Sequence, residues 1–581
     1  MSGFGERLST RQKNFKKGVD AEEARRKRED AAVQLRKATR DEALQKKRMT
    51  DEQQAAQAAL GAPMGSEAME QVGPTPSVAT GVLDQIPALC QQLASEDPQA
   101  HFNATQHFRK LLSVEQNPPI QEVINAGIVP RFVQFLKEIS RPDLQFEAAW
   151  VLTNIASGTT AQTLAILEAG AAGSMFRILA SEQISDRAEL CEQCLSALGN
   201  LAGDEDVRPR DQLLGVGVVG HLGSLFERIP GFSWDLHGRV QVLRSLTRLM
   251  SNLCGGQPAP PLEEVDCAFD YFAQVLLGTD DVQMLADALF GLACLLEGAA
   301  EEAGAAARAE RLLSAGFAAG AAPAPHPVLL KVVDCSRRGG GAAPSALRLL
   351  GALASAPGEQ PTDALFSAGA LQALRSALVD IQAAPQARCD AAWALANVAA
   401  GTPAQAQRLL DARAVLDALC GVLEKGGEAA AKQECAWAAV HLARRGPQAL
   451  AQADARRLLS ALAPALRGEG DAPLLCALLE AAAALLRLGE EQAAAKGLTA
   501  SALAAHAEEC GLVQELERLQ RGKADAVQRR AARALEVLSR ASADRENEPP
   551  QERTPKKDKS RAPSAICGGS PIRPAAYKFG A

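Results

Sequence analysis

The chain has 581 residues, 47% apolar but only 4% aromatic, with 13 Cys and a formal charge of −7. Ala and Leu dominate while Val, Ile and Tyr are scarce, which excludes a large sheet and predicts an all-α protein. The first thirty residues offer no apolar leader segment and no run of about 18 uncharged apolar residues follows, so secreted and membrane-spanning classes drop out of the reading.

Residues 1–51 form a basic segment in which positions 1–50 hold 15 Lys+Arg against 8 Asp+Glu. From Asp20 the run AEEARRKREDAAVQLRKATRDEALQKKR has no Gly or Pro, with acids early and bases late, as expected of a helix. Residues 52–80 read as a polar, Gly- and Pro-bearing linker, residues 81–540 as a repeat array and 541–581 as a disordered tail. Residues 1–50 carry +7 and the tail +3, which leaves −17 on the body between them. A basic head joined to an acidic body points to a groove that binds basic segments, for which the head can compete.

Within the array FEAAWVLTNIASG (Phe146 to Gly158) returns as CDAAWALANVAAG (Cys389 to Gly401) and again as CAWAAVHLARRG (Cys435 to Gly446). Counterparts of Asn154 fall at Asn200, Asn252, Cys294, Ala352, Asn397 and His441, in steps of 46, 52, 42, 58, 45 and 44 residues. That is the armadillo/HEAT period, which predicts two or three helices per unit, each burying its apolar face on its neighbours in a superhelical stack. Gly158, Gly203, Gly255, Gly298, Gly401 and Gly446 follow the helices as stops. The stretches near 229–240 and 320–345 read as loop inserts on the surface.

Trp and Asn at i and i+4 share one helix face, and stacking lines those faces up. Carboxamides that donate and accept can bond the main chain of an extended peptide, while indole plates pack on Lys or Arg stems and attract their cationic ends. A lone Trp in an Ala/Leu helix is ordinarily core; recurrence of the pair at repeat spacing favours a binding row. At Cys294 and Ala352 the plain core reading holds.

Other chemistry finds little support. Cys191 and Cys194 have CxxC spacing, but the second pair needed for a zinc site is missing, and scattered single Cys predict reduced, buried thiols in a cytosolic or nuclear protein. GVGVVG (215–220) nearly meets a dinucleotide-loop pattern yet falls at a repeat junction, and no nucleophile sits beside a base, so neither enzyme nor cofactor is expected. The basic helix lacks large apolar residues for membrane insertion and interleaved aromatics for nucleic-acid binding.

The segment QHFRKLLSVEQNPPIQEVINAGIVPRFVQFL with LQFEAAWVLTNIASG resembles the start of the armadillo array of importin-alpha, the nuclear-import adaptor family. RQKNFKKG, RRKR, QLRK and KKR resemble that family's importin-beta-binding segment, with Arg11, Phe15, Lys16, Arg25, Arg26, Lys27, Arg28, Leu35, Arg36 and Lys37 as contact residues and Lys46, Lys47 and Arg48 as an internal cargo mimic. The resemblance implies a major groove for nuclear localisation signals at Trp150, Asn154, Gly158, Thr163, Asn200, Asp204, Asn252 and Asp287, with Ser196 and Arg248 where the family has Trp. It implies a minor groove at Arg348, Asp390, Trp393, Asn397, Glu434, Trp437 and His441. Expected partners are importin-beta, basic cargo and, for recycling, an export receptor with Ran-GTP, in a protein that shuttles between cytoplasm and nucleus. The alternative is an armadillo scaffold for another extended partner in cytoskeletal or signalling assembly, which would have no need of the basic head.

Overall fold

The computed structural model describes residues 85–113, 118–298, 302–315, 325–425, 427–445, 450–498, 501–522 and 524–546. The basic head, the linker and the tail beyond 546 lie outside the described residues, and with them every expected importin-beta contact, the cargo mimic Lys46, Lys47 and Arg48, and Gly446.

Ten helices stack side by side in one continuous row: α1 (Pro98–Leu112), α2 (Pro142–Ile155), α3 (Ala188–Ala202), α4 (Leu236–Cys254), α5 (Val282–Glu297), α6 (Ala343–Ser355), α7 (Pro385–Ala400), α8 (Ala429–Ala443), α9 (Ala472–Ala495) and α10 (Asp525–Glu546). Each packs on the one before and the one after, so the row is a ladder that no single repeat could bury alone. A second row, including Ala171–Ala180, Val218–Arg228, Ala268–Gly278, Pro327–Arg338 and Ala370–Val379, covers the back of the ladder. Short helices such as Thr160–Glu168, Gln360–Ser367 and Pro403–Asp411 turn the chain into each new unit. The architecture is the all-α, right-handed armadillo-repeat superhelix, stacked as the periodicity predicts. Its last helix ends at Glu546, beyond the boundary expected at 540.

Local chemistry sets these boundaries. Pro98, Pro142 and Pro385 open three ladder helices at the position where a missing N–H costs nothing. Gly203, Gly255, Gly298 and Gly401 are C-cap residues as expected, but none of them is left-handed. Left-handed glycines stand instead at the elbow between the short and second helices, among them Gly127, Gly170, Gly217, Gly369 and Gly511, where only Gly takes a positive φ without strain. GVGVVG is therefore one such elbow, centred on Gly217.

Arginines satisfy helix-end carbonyls across repeats. Arg308 Nη1 donates to Leu295 O at 2.8 Å, Arg518 to Leu466 O at 2.9 Å, and Arg445 to Ala399 O at 3.0 Å. Helix α9 is long and apolar enough by composition to cross a membrane, and its apolar window is 72% buried between α8 and α10.

Two expectations need correction. The stretch 229–240 is not surface decoration: Trp234 is 7% exposed, donates its indole N–H to Ile184 O at 3.1 Å and packs edge-on against Phe232. Of 320–345, residues 320–324 lie outside the described residues, residues 327–338 form a second-row helix with Val328, Leu329, Val332 and Val333 in the core, and 339–342 turn the chain into α6. The uneven 52- and 58-residue steps thus include packed structure, because apolar residues in a long connection can dock on the neighbouring repeat.

Candidate functional site: the open face of the ladder

Three of the chain's four Trp, Trp150, Trp393 and Trp437, are half-buried on the ladder helices α2, α7 and α8, each with Asn or His four residues on. The ladder presents two stretches with a changed rung on α5 between them, and the first has Trp on α2 but Ser196 and Arg248 at the matching places on α3 and α4.

The first stretch is built on α1 to α4. Trp150 lies edge-on to Phe146 at 5.4 Å between ring centroids, and the Arg109 guanidinium stacks 4.4 Å from its ring centre. Arg109 is held there by Glu147, Nε to Oε2 at 2.7 Å. The indole face already accepts a cation, as cation–π attraction predicts for a slot that takes basic side chains.

The Asn residues do more than the sequence reading assigned them. Asn154 Nδ2 donates to Ser113 Oγ at 3.1 Å and Arg109 O at 3.4 Å, Asn200 Nδ2 to Thr153 O at 3.2 Å, and Asn252 Nδ2 to Gly199 O at 2.8 Å. Each amide therefore ties its helix to the preceding one. The packing itself thus uses these Asn, Asn154 beside Trp150 included, because helix-end carbonyls of one rung need donors from the next. Gly203 makes room for this tie: a Cβ there would sit 2.6 Å from Asn252 Nδ2.

The residues expected to hold a lysine are Gly158, Thr163 and Asp204. Asp204 Oδ1 accepts from Thr160 Oγ1 at 2.7 Å and from the Asp206 amide at 3.0 Å, and neither bond uses Oδ2. Thr163, one turn beyond Thr160, is fully buried, and its hydroxyl has no hydrogen-bond partner among the described residues. Gly158 precedes a capping box in which Gln162 Oε1 accepts from the Thr159 amide at 2.9 Å, and a Cβ at Gly158 would lie 2.1 Å from that oxygen. The same box recurs at Gly401, Thr402 and Gln405, so SGTTAQ and AGTPAQ are a signal that sequence reading missed.

The second stretch is built on α6 to α8. Gly351 of α6 lies directly beneath Trp393, where a Cβ would come within 2.3 Å of ring atom Cε3. Asp390 is 2% exposed and accepts from Gln386 Nε2 at 2.9 Å. Asn397 is buried, and its Nδ2 has no hydrogen-bond partner among the described residues. Trp437 and Glu434 are half-buried on α8. Burial, reinforced by Arg444 and Arg445, pushes His441 down to about 3, so its ring is neutral and offers a donor and an acceptor much as an amide would.

Between the two stretches, Phe290 occupies the rung position four residues before Cys294, the Trp-to-Asn spacing with both residues changed. The Arg348 guanidinium lies 4.9 Å from the Phe290 ring centre and forks onto Glu297 at 2.9 and 2.8 Å, with both partners buried. Burial alone would lower the Arg348 pKa, but the charge and hydrogen bonds of Glu297 outweigh it and hold it above the ordinary value. Phe290, Glu297 and Gly351 were not picked out from sequence. Asp287 is half-buried on α5, three residues before Phe290.

In the described residues no group of His, Cys, Asp and Glu could hold a metal ion. Cys191 and Cys194 are both fully buried in α3, and burial pushes the Cys194 thiol up to about 12.

Comparison with known proteins matches residues 11–106 to the importin beta binding domain and residues 116–157 to the armadillo/beta-catenin-like repeat. The chain is 33% identical over 417 residues to importin subunit alpha-1a of Oryza sativa subsp. japonica, across 70% of this chain and 69% of that one. The chain belongs to the importin-alpha family. It is also 40% identical over 296 residues to importin subunit alpha-2 of Arabidopsis thaliana, and there it spans about half of the relative's length, 50% of each chain. Among solved structures, the crystal structure of an engineered protein superposes with a TM-score of 0.63 at 22% identity, covering 78% of this chain and 99% of that one, which supports the shared fold alone.

Proposed function

We propose that this importin-alpha family member is a nuclear import adaptor, whose ladder face grips basic nuclear localisation signals and whose basic head engages importin-beta. The observation that carries the reading is the recurrence of one arrangement on α2 and on α7. In both, a half-buried Trp sits over a preceding rung with a carboxylate three residues before it, Glu147 or Asp390, and an Asn four after. Aromatic faces hold the methylenes of Lys or Arg, and the carboxylates select the cationic ends. The unpartnered Thr163 hydroxyl, the Gly158 carbonyl and Asp204 Oδ2 form a pocket for one lysine ammonium, which has three donors and no acceptor. Residues 11–48 within the matched importin-beta-binding region support the second half of the reading, with Lys46, Lys47 and Arg48 competing for the groove when importin-beta is absent. An export receptor with Ran-GTP would recycle the protein, which would shuttle between cytoplasm and nucleus.

Since α3 and α4 lack Trp, the α6–α8 stretch carries an unusually large share of cargo binding. The loss of affinity for one bipartite basic peptide on Trp393→Ala should therefore equal or exceed that on Trp150→Ala, each about tenfold or more. Titration by fluorescence anisotropy decides it. A far larger loss at Trp150 would contradict the shared-load reading, and no loss at either would contradict the groove.

A further inference from the structure

The middle rungs on α3 and α4 have exchanged their chemistry rather than merely lost it. Where α2, α7 and α8 carry a Trp with a carboxylate three residues before it, α3 carries Ser196 with Gln193 and α4 carries Arg248 with Ser245. The Ser196 and Ser245 hydroxyls lie 3.3 Å apart and bridge the two helices. Several ladder arginines are neutralised: Arg109 by Glu147, Arg244 by Asp281, Arg348 by Glu297 and Arg388 by Glu428. Arg248 is half-buried, and among the described residues its guanidinium makes no ion pair.

From this geometry we infer that the α3–α4 rungs, around Arg248, Ser196 and Ser245, receive an anionic side chain of the bound segment. The inference deepens the proposed function and rests on it: the occupant is an extended peptide whose lysine sits near Asp204, and whose residue facing the next rungs is acidic or phosphorylated instead of basic. A guanidinium supplies a planar fork of donors that fits a carboxylate or a phosphate. Of the two hydroxyls beside it, the one that accepts in the Ser196–Ser245 bond keeps its own O–H to donate one more hydrogen bond, and Asn200 and Asn252 lie four residues beyond Ser196 and Arg248 on the same helices. A lysine there would instead face an unneutralised like charge with no aromatic wall to stack on. The chain would thus select cargo with a mixed pattern, basic at the ends and anionic at one interior position.

The test is a set of otherwise identical basic peptides in which each position in turn is Lys, Ala, Glu or phosphoserine, titrated against the protein lacking residues 1–50. At one or two adjacent positions Glu should bind about three- to tenfold tighter than Lys, and Arg248→Trp should reverse that order at the same positions. Phosphoserine exceeding Glu there would assign a phosphate occupant, and equal binding of the two would assign charge alone; both support the proposal. Lys binding best at every position, or a Glu preference that survives Arg248→Gln, would overturn it. The Asp204→Asn variant separates the two levels. If it weakens all the peptides while Lys still wins everywhere, only this inference falls; if it weakens none, the groove reading falls as well.

Discussion

Replacing Glu297 with alanine should cost about 3–5 kcal/mol of stability, the largest single-residue effect expected in the array. Arg348 and Glu297 are both buried, joined by two hydrogen bonds at 2.9 and 2.8 Å, and the guanidinium is wedged over Phe290. Removing the carboxylate strands a positive charge between α5 and α6 that cannot easily shed its proton, because a guanidinium stays protonated. The pair itself need not be strongly stabilising, since removing two charges from water offsets most of their attraction. The double variant Glu297→Leu with Arg348→Met should therefore recover most of the loss. Chemical denaturation followed by circular dichroism measures both, and hydrogen exchange should show the earliest loss of protection at α5 and α6, because a solenoid yields locally. A loss below about 1 kcal/mol for Glu297→Ala would mean that Arg348 finds water or another partner there.

Deleting residues 1–50 should abolish binding to importin-beta and tighten binding of a basic peptide by about tenfold. The segment carries +7 and is joined to the array by residues 52–80. A tether of about thirty residues holds its end at roughly millimolar effective concentration near the groove, enough to compete even when the internal mimic binds weakly. The competition is electrostatic in large part, so the gain on deletion should shrink as salt rises from 50 to 300 mM. Exchanging Lys46, Lys47 and Arg48 for alanine should reproduce the tighter peptide binding while leaving importin-beta binding largely intact. Unchanged peptide affinity in both variants would remove the internal competitor from the account and leave the adaptor reading standing.

The repeat period and the row of Trp and Asn were legible in the sequence because both follow from short-range geometry: i and i+4 share a face, and a unit of about 45 residues stacks on its like. What the sequence could not give is how one rung leans on the next. That Gly351 lies under Trp393, that Asn154 reaches back to Ser113, and that Arg348 crosses to Glu297 are contacts between residues about 40 to 50 apart, set by stacking distance rather than by spacing within a helix. The apparent insert at 229–240 misled for a related reason. Its Pro and Gly signal a loop correctly, yet Phe232 and Trp234 between them fold back on the preceding repeat, and a loop signal says nothing about where its aromatics land. Phe290 was readable in principle, since it stands four residues before Cys294 as Trp stands before Asn, but the changed pair hid the register.

The ladder's role is decided by where a basic peptide lies. A crystal structure of the chain lacking residues 1–50 with a bipartite basic peptide tests that directly. The prediction is an extended main chain along the open face of the ladder, with a lysine ammonium at Gly158 O, Thr163 Oγ1 and Asp204 Oδ2 and a second basic cluster against Trp393 and Trp437. A peptide seated on the second-row helices, or one bound at α3–α4 with Trp150 and Trp393 both uncontacted, would contradict it.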